Sequence, residues 1–123
     1  MSVALSFVSP PPGLAPHTDF ALTAIDEAEG LFALRAVAVP DLRLYVVDPR
    51  TVIAGYEPVL TDEQVADLGL HAPEDAMLLV VAHPATAGVS VNLLAPVVVN
   101  RTTGRAAQVI LDGQDYDVRT PLG

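Results

Sequence analysis

The histidines His17, His71 and His83, fifteen aspartates and glutamates, and the serines Ser2, Ser6, Ser9 and Ser90 are the side chains here able to do acid–base, metal or nucleophilic chemistry. Their spacing argues against each use. No two histidines sit at i, i+4 or at the short separations that put zinc ligands on one element. His83 falls beside Pro84 at the end of an apolar run, where a hydrogen-bonded structural histidine is expected. None of the serines stands in a nucleophile elbow, although the members of a triad can lie far apart in sequence. The carboxylates gather at Asp26/Glu27/Glu29, Asp62/Glu63 and Glu74/Asp75. A polar hairpin connector, a helix N-terminus and a turn after Pro73 account for them without catalysis. The glycines are dispersed singly, so no glycine-rich loop is available to cradle a phosphate. Asn100-Arg101-Thr102 matches a glycosylation acceptor, but without an export signal the match carries no meaning. No catalytic, cofactor or metal constellation is expected.

Those residues sit on a chain of 123 residues, enough for one domain with a real core. Half of it is apolar, which argues against intrinsic disorder. The longest apolar stretch, Met77–Ala82, is far too short to span a bilayer as a helix. The N-terminus has no basic region before its Pro-rich segment, so no export signal is read and a cytoplasmic location is expected. There is no cysteine, hence no disulfide framework and no thiol chemistry. All six basic residues are arginine, and the net charge is −9. Such a surface repels phosphate backbones and anionic lipid, so neither direct nucleic-acid nor membrane binding is expected. Two explanations of the charge stand side by side: a basic protein partner, or the solubility of a small apolar domain.

The positioning elements read mostly as strands: Val3–Val8, Phe20–Ala24, Leu31–Val37, Leu42–Val47, Glu57–Leu60, Met77–Ala82, Val89–Leu94, Val97–Asn100 and Ala106–Leu111. They recur about every ten residues with Pro, Gly and Asp between them, which predicts an antiparallel all-β barrel or sandwich. Met77–Ala82, apolar throughout, reads as a central strand covered on both faces. One helix is predicted over 61–68. Thr61 and Gln64 form a capping box, Asp62 and Glu63 suit its positive end, Val65 and Leu68 share an apolar face, and Gly69 stops it. Ser9-Pro10-Pro11-Pro12-Gly13 reads as an extended, polyproline-like loop, or less simply as a ligand for a Pro-recognising module. Pro96 requires an edge or a bulge in the run Leu93–Val99. Asn92, just before it, can satisfy backbone groups that the break leaves unpaired.

The C-terminal quarter combines two β-branched runs around the connector Asn100-Arg101-Thr102-Thr103-Gly104-Arg105, a hairpin with a loop longer than two residues. Its wording is more specific than its physics. Asn92-Leu93-Leu94-Ala95-Pro96-Val97-Val98-Val99-Asn100, then Gln108-Val109-Ile110-Leu111-Asp112, then Asp115-Tyr116-x-x-Arg119-x-Pro121-Leu122, resembles the ending of the flagellar assembly factor FliW family. Upstream, Pro40-Asp41-Leu42-x-Leu44-Tyr45-Val46-Val47-Asp48-Pro49 resembles the family's central strand and its closing turn. Tyr56-Glu57-x-x-Leu60-Thr61-Asp62-Glu63-Gln64-x-x-Asp67-Leu68-Gly69-Leu70 resembles the segment and short helix that follow, and Leu31-Phe32-x-Leu34-Arg35 an earlier strand. The likeness is strong over residues 31–122. The family's opening Phe-Gly-x-Ile strand has no counterpart before Leu5, and its Gly-Leu-Pro-Gly-Phe-like loop is here Gly13-Leu14-Ala15-Pro16-His17. The connector Pro84–Gly88 is shorter than usual.

The resemblance implies a non-enzymatic regulator. FliW proteins bind the translational repressor CsrA, relieving repression of flagellin mRNA, and also bind flagellin, which competes with CsrA. It implies a small pseudo-barrel with structural roles for Asp48, Pro49, Asn92, Pro96 and Asn100. Among the residues themselves, Asp112, Asp115 and Asp117 cannot all be buried without counter-charges, and Arg119 neutralises at most one. That segment, together with Arg119, is therefore expected to be exposed at a partner-binding surface, with Tyr116 either an amphipathic anchor or packed into the core. Two other functional classes are compatible with the sequence: a β-barrel enzyme assembled from distant residues such as His83 and Asp112, or a chaperone-like module binding flagellin alone.

Overall fold

The computed structural model describes residues 2–26, 28–86 and 88–122. Its strands are β1 (Ser2–Phe7), β2 (Asp19–Ala24), β3 (Leu31–Ala36), β4 (Arg43–Val47), β5 (Ala76–Ala85), β6 (Gly88–Val91), β7 (Val97–Asn100), β8 (Arg105–Gln108) and β9 (Thr120–Pro121). They run in the order β4-β3-β2-β1-β8-β7-β5, and β4 pairs back onto β5, which closes a seven-stranded barrel. β6 and β9 extend the sheet beyond β5. Every pairing is antiparallel except β1 with β8, a short parallel seam of Ser6 with Arg105 and Phe7 with Ala106. The ring closes at this seam, where β1 and β8 meet directly.

Period-two alternation fills the barrel. Leu5, Phe7, Phe20, Leu22, Leu34, Ala36, Val46, Leu79, Val81, Val97 and Val99 point inward and form one buried cluster. Phe7 and Phe20 meet edge to face with ring centroids 5.2 Å apart. The other face of β5 is also apolar: Val80 and Ala82 lie in a second cluster outside the ring, with Val91 and Leu93. A continuously apolar strand is thus explained by cover on both faces. Between β1 and β2 the prolines do not stay extended. Leu14 N–H donates to Pro11 O in a reverse turn with Gly13 at φ +82°, and buried Leu14 anchors the loop to the core.

The helix α1 spans Asp62–Leu68. Thr61 Oγ1 accepts from Gln64 N–H at 3.1 Å, and Gln64 Oε1 accepts from Thr61 N–H at 2.9 Å, the two halves of the capping box. Gly69 ends the helix at φ +67°. With two turns it cannot stand alone, and buried Leu68 packs it on Val98, Val109 and Leu111.

Three strand expectations are corrected. Glu57–Leu60 is not a strand: Pro58 lacks an N–H, and both backbone groups of Val59 are taken by the Gln114 side chain, so no ladder forms. β6 stops at Val91 rather than Leu94, because the chain leaves the ladder for the bend that Asn92 holds. β8 stops at Gln108 rather than Leu111; Val109 and Leu111 donate instead to Pro96 O and Leu94 O in the broken segment before β7. Glu27, expected in the β2–β3 connector, lies outside the described residues, as does Ala87 in the connector before Asn92.

Candidate protein-binding surface

Two asparagines hold the frame from which the candidate surface hangs. Asn92 Oδ1 accepts from the N–H groups of Leu94 and Ala95, both at 3.1 Å, and so meets two donors that the break before Pro96 takes from the sheet. Among the described residues, Asn100 is the buried polar residue of the core, 3% exposed. Its Nδ2 donates to Leu68 O at 2.9 Å and Gly69 O at 3.3 Å, closing the C-terminus of α1. Its Oδ1 accepts from Thr102 and Thr103 in the β7–β8 turn, at 2.9 and 3.2 Å. One amide therefore joins helix, strand and turn. Earlier in the chain, Asp48 caps the 3₁₀ turn Pro49–Thr51 and forms an ion pair of 2.8 Å with Arg50, in which Pro49 is buried. The hydrogen bond from Arg50 holds the Asp48 carboxyl below the usual range, against the opposing effect of its burial.

After β8 the chain crosses the outside of the barrel, tied down by backbone and side-chain bonds together. Gln114 bridges Val59 in both directions, accepting from its N–H at 2.9 Å and donating to its C=O at 2.8 Å. Tyr116 stacks edge to face on Tyr56, with centroids 4.9 Å apart, and its hydroxyl accepts from Glu57 N–H at 3.3 Å. Tyr56 in turn donates its hydroxyl proton to Leu93 O at 2.6 Å. Burial, with the neighbouring Tyr116 a smaller contribution, pushes the Tyr56 phenol well above its ordinary value. Leu93 N–H donates to Asp117 O. The segment 112–117 is thereby fixed while Asp112, Asp115 and Asp117 stay exposed on it.

Tyr116 is thus half-buried and engaged with Tyr56, not a free anchor, because its ring completes the cover over the outer apolar clusters. Arg119 is exposed, and among the described residues the ion pair is that of Arg50 with Asp48. Among the described residues, none of the three aspartates forms an ion pair. Asp112 lines a shallow groove with Pro10, Gln64, Asp67 and Ile110, and His83, half-buried on β5, is not part of it. Among the described residues no group of three or more His, Asp or Glu side chains is placed to hold a metal. No helix among them is long and apolar enough to cross a membrane. What sequence reasoning missed is the Gln114–Val59 bridge and the Tyr56–Tyr116 pair. Each joins residues more than fifty apart in the chain, and neither residue type signals its partner.

Fold and surface together define a small closed β-barrel carrying an ordered acidic strap on its outer wall. The profile of the FliW protein family matches residues 2–122. The flagellar assembly factor FliW of Desulfitobacterium hafniense (strain DSM 10664 / DCB-2) is 35% identical over 113 residues, 90% of this chain and 74% of that protein. That of Bacillus subtilis (strain 168) is 32% identical over 121 residues, 95% and 83% of the two chains. The crystal structure of the flagellar assembly factor FliW superposes with a TM-score of 0.89 at 25% identity, over 96% of this chain and 84% of that one. The chain belongs to the FliW family of flagellar assembly factors.

Proposed function

We propose that this protein is a non-enzymatic, cytoplasmic regulator that binds the translational repressor CsrA and flagellin in competition. Through that exchange it couples flagellin mRNA translation to flagellin demand. The observation that carries the reading, beside family membership, is the strap of Asp112, Asp115 and Asp117, ordered by uncharged contacts and exposed on a chain of net charge −9. Such a surface steers a basic RNA-binding protein toward one docking register and repels RNA itself.

The test is association of purified CsrA with wild type and with the triple variant Asp112→Asn/Asp115→Asn/Asp117→Asn at several salt concentrations. The variant should associate more slowly and lose part of the salt dependence, because steering by exposed charges is screened within about 10 Å at 0.1 M salt. Unchanged rates in a folded variant would remove the strap from the electrostatic footprint. Flagellin binding without any CsrA binding by the wild type would instead make the protein a flagellin-only chaperone.

A further inference from the structure

The outer face of β5 is apolar along its length, but its cover is not. Over Val80 and Ala82 lie Ile53, Tyr56 and Tyr116, and those two residues are buried. Toward the start of the strand the cover runs out. There Ala76 and Leu78 floor an open groove of about 440 Å³, walled by Pro58, Leu60, Val65 and Leu70. Leu60, Val65, Leu70 and Leu78 are all only half-buried. Four aliphatic side chains from an extended segment, a helix, a loop and a strand thus converge on one unfilled concavity.

Its rim is acidic. Glu57 precedes Pro58 in the wall, Asp62 stands one turn before Val65 on the same side of α1, and Glu74 follows Pro73; all three are exposed. His71 is the basic side chain among the lining residues, and no arginine lines the groove. Much of the donor capacity along the wall is already taken. Pro58 and Pro73 have no N–H, Val59 is bonded twice to Gln114, and Leu70 N–H donates to Val65 O. An added strand would find few donors along this wall, whereas a helix satisfies its own backbone and needs only a place for its side chains. A second copy of this chain would bring a like charge of −9 against the rim.

We propose that this groove docks a short, basic amphipathic helix of a partner protein, its aliphatic face seated on Leu60, Val65 and Leu78 and its cationic face toward Glu57, Asp62 and Glu74. This rests on the protein-binding reading above and assigns a surface separate from the 112–117 strap. The probe is a synthetic cationic helix of about fourteen residues, with leucines at i, i+3 and i+7 and lysines elsewhere. Beside it run an isomer with the leucines scattered and an analogue with glutamates for lysines. Full-length ¹⁵N-labelled protein is titrated with each.

The expected result is saturable one-to-one binding of the cationic amphipath alone, with amide shifts centred on residues 57–65 and 70–78. Leu78→Asp should weaken it at least tenfold, and Val65→Asp, on another element, should do the same and decides the matter if Leu78→Asp folds poorly. Asp62→Asn/Glu74→Gln should weaken it less and reduce its salt dependence. Equal binding of the scattered or anionic peptide, shifts centred elsewhere, or no saturation would overturn the proposal. So would dimerisation through this face. Because the peptide reports on the groove alone, failure of the wild type to bind CsrA and flagellin would defeat the partner assignment and leave this result to stand or fall by itself.

Discussion

Replacing Asn100 by leucine keeps the approximate volume and removes four hydrogen bonds at once. Leu68 O is the most deeply placed of the four partners, and leaving a buried acceptor unmet costs about 1–3 kcal/mol. Gly69 O and the N–H groups of Thr102 and Thr103 lie nearer solvent, so each loses nearer the net value of about 0.5–1.5 kcal/mol. Leucine recovers part of this through its own burial, and the four losses share one site, so they do not add fully. The expected total is about 3–4 kcal/mol. Against a total stability of roughly 5–15 kcal/mol for a domain, that is a large fraction. Urea unfolding followed by far-UV circular dichroism measures it: the midpoint should fall sharply with little change in slope.

Asn100→Asp sharpens the test. The carboxylate can still accept from Thr102 and Thr103, but it cannot donate to Leu68 O and Gly69 O, and its charge meets the negative end of α1. Its folded pKa should therefore rise above the unfolded value of about 3.9. The sign follows: the penalty is greatest above the raised pKa and shrinks as the pH falls toward 4, where the protonated acid donates again. A loss under about 0.5 kcal/mol for Asn100→Leu, or an Asn100→Asp penalty independent of pH, would refute the assignment of Asn100 as the joint between helix and turn.

Asn92→Leu should cost about 1–3 kcal/mol by the same accounting, since two N–H donors lose Oδ1; unchanged melting would reject it. Gly104→Ala should lower Tm by roughly 5 °C or more. Gly104 holds φ +78°, and a Cβ there would lie 2.5 Å from Ala4 O, beside the seam that closes the barrel; a wild-type melting curve would show that the seam yields freely. Tyr56 is held neutral in the fold, so its contribution is complete below the ordinary tyrosine pKa of about 10 and is lost as the pH rises toward its raised value. Tyr56→Phe should flatten the alkaline fall in stability over that range, as read from denaturation between pH 8 and 11; an unaltered slope would count against it.

Much of the framework was legible locally. Alternation in Leu42-Arg43-Leu44-Tyr45, the Thr61–Gln64 capping box, Gly69 and the apolar run at Met77–Ala82 each carry their structure in a few neighbouring residues, so β4, α1 and β5 could be read directly. The family wording of residues 92–122 identified the chain for a related reason: short fixed spacings survive in sequence. Glu57–Leu60 shows where this stops. Its composition is that of a strand, but a strand needs a partner backbone, and the groups facing Val59 are the side chain of Gln114. Tyr116 shows it again, since whether an aromatic ring anchors a partner or covers a core depends on what stands opposite, here Tyr56. The parallel seam of β1 with β8, the two bonds from Asn100 to the end of α1 and the uncovered stretch of β5 belong to the same class. The sequence by itself determined the family, the charge and those elements whose signals are local, because these depend on neighbours along the chain; the tertiary structure alone decided where ladders end, which distant polar groups meet and which apolar faces stay open, because those depend on residues brought together from thirty or more positions apart.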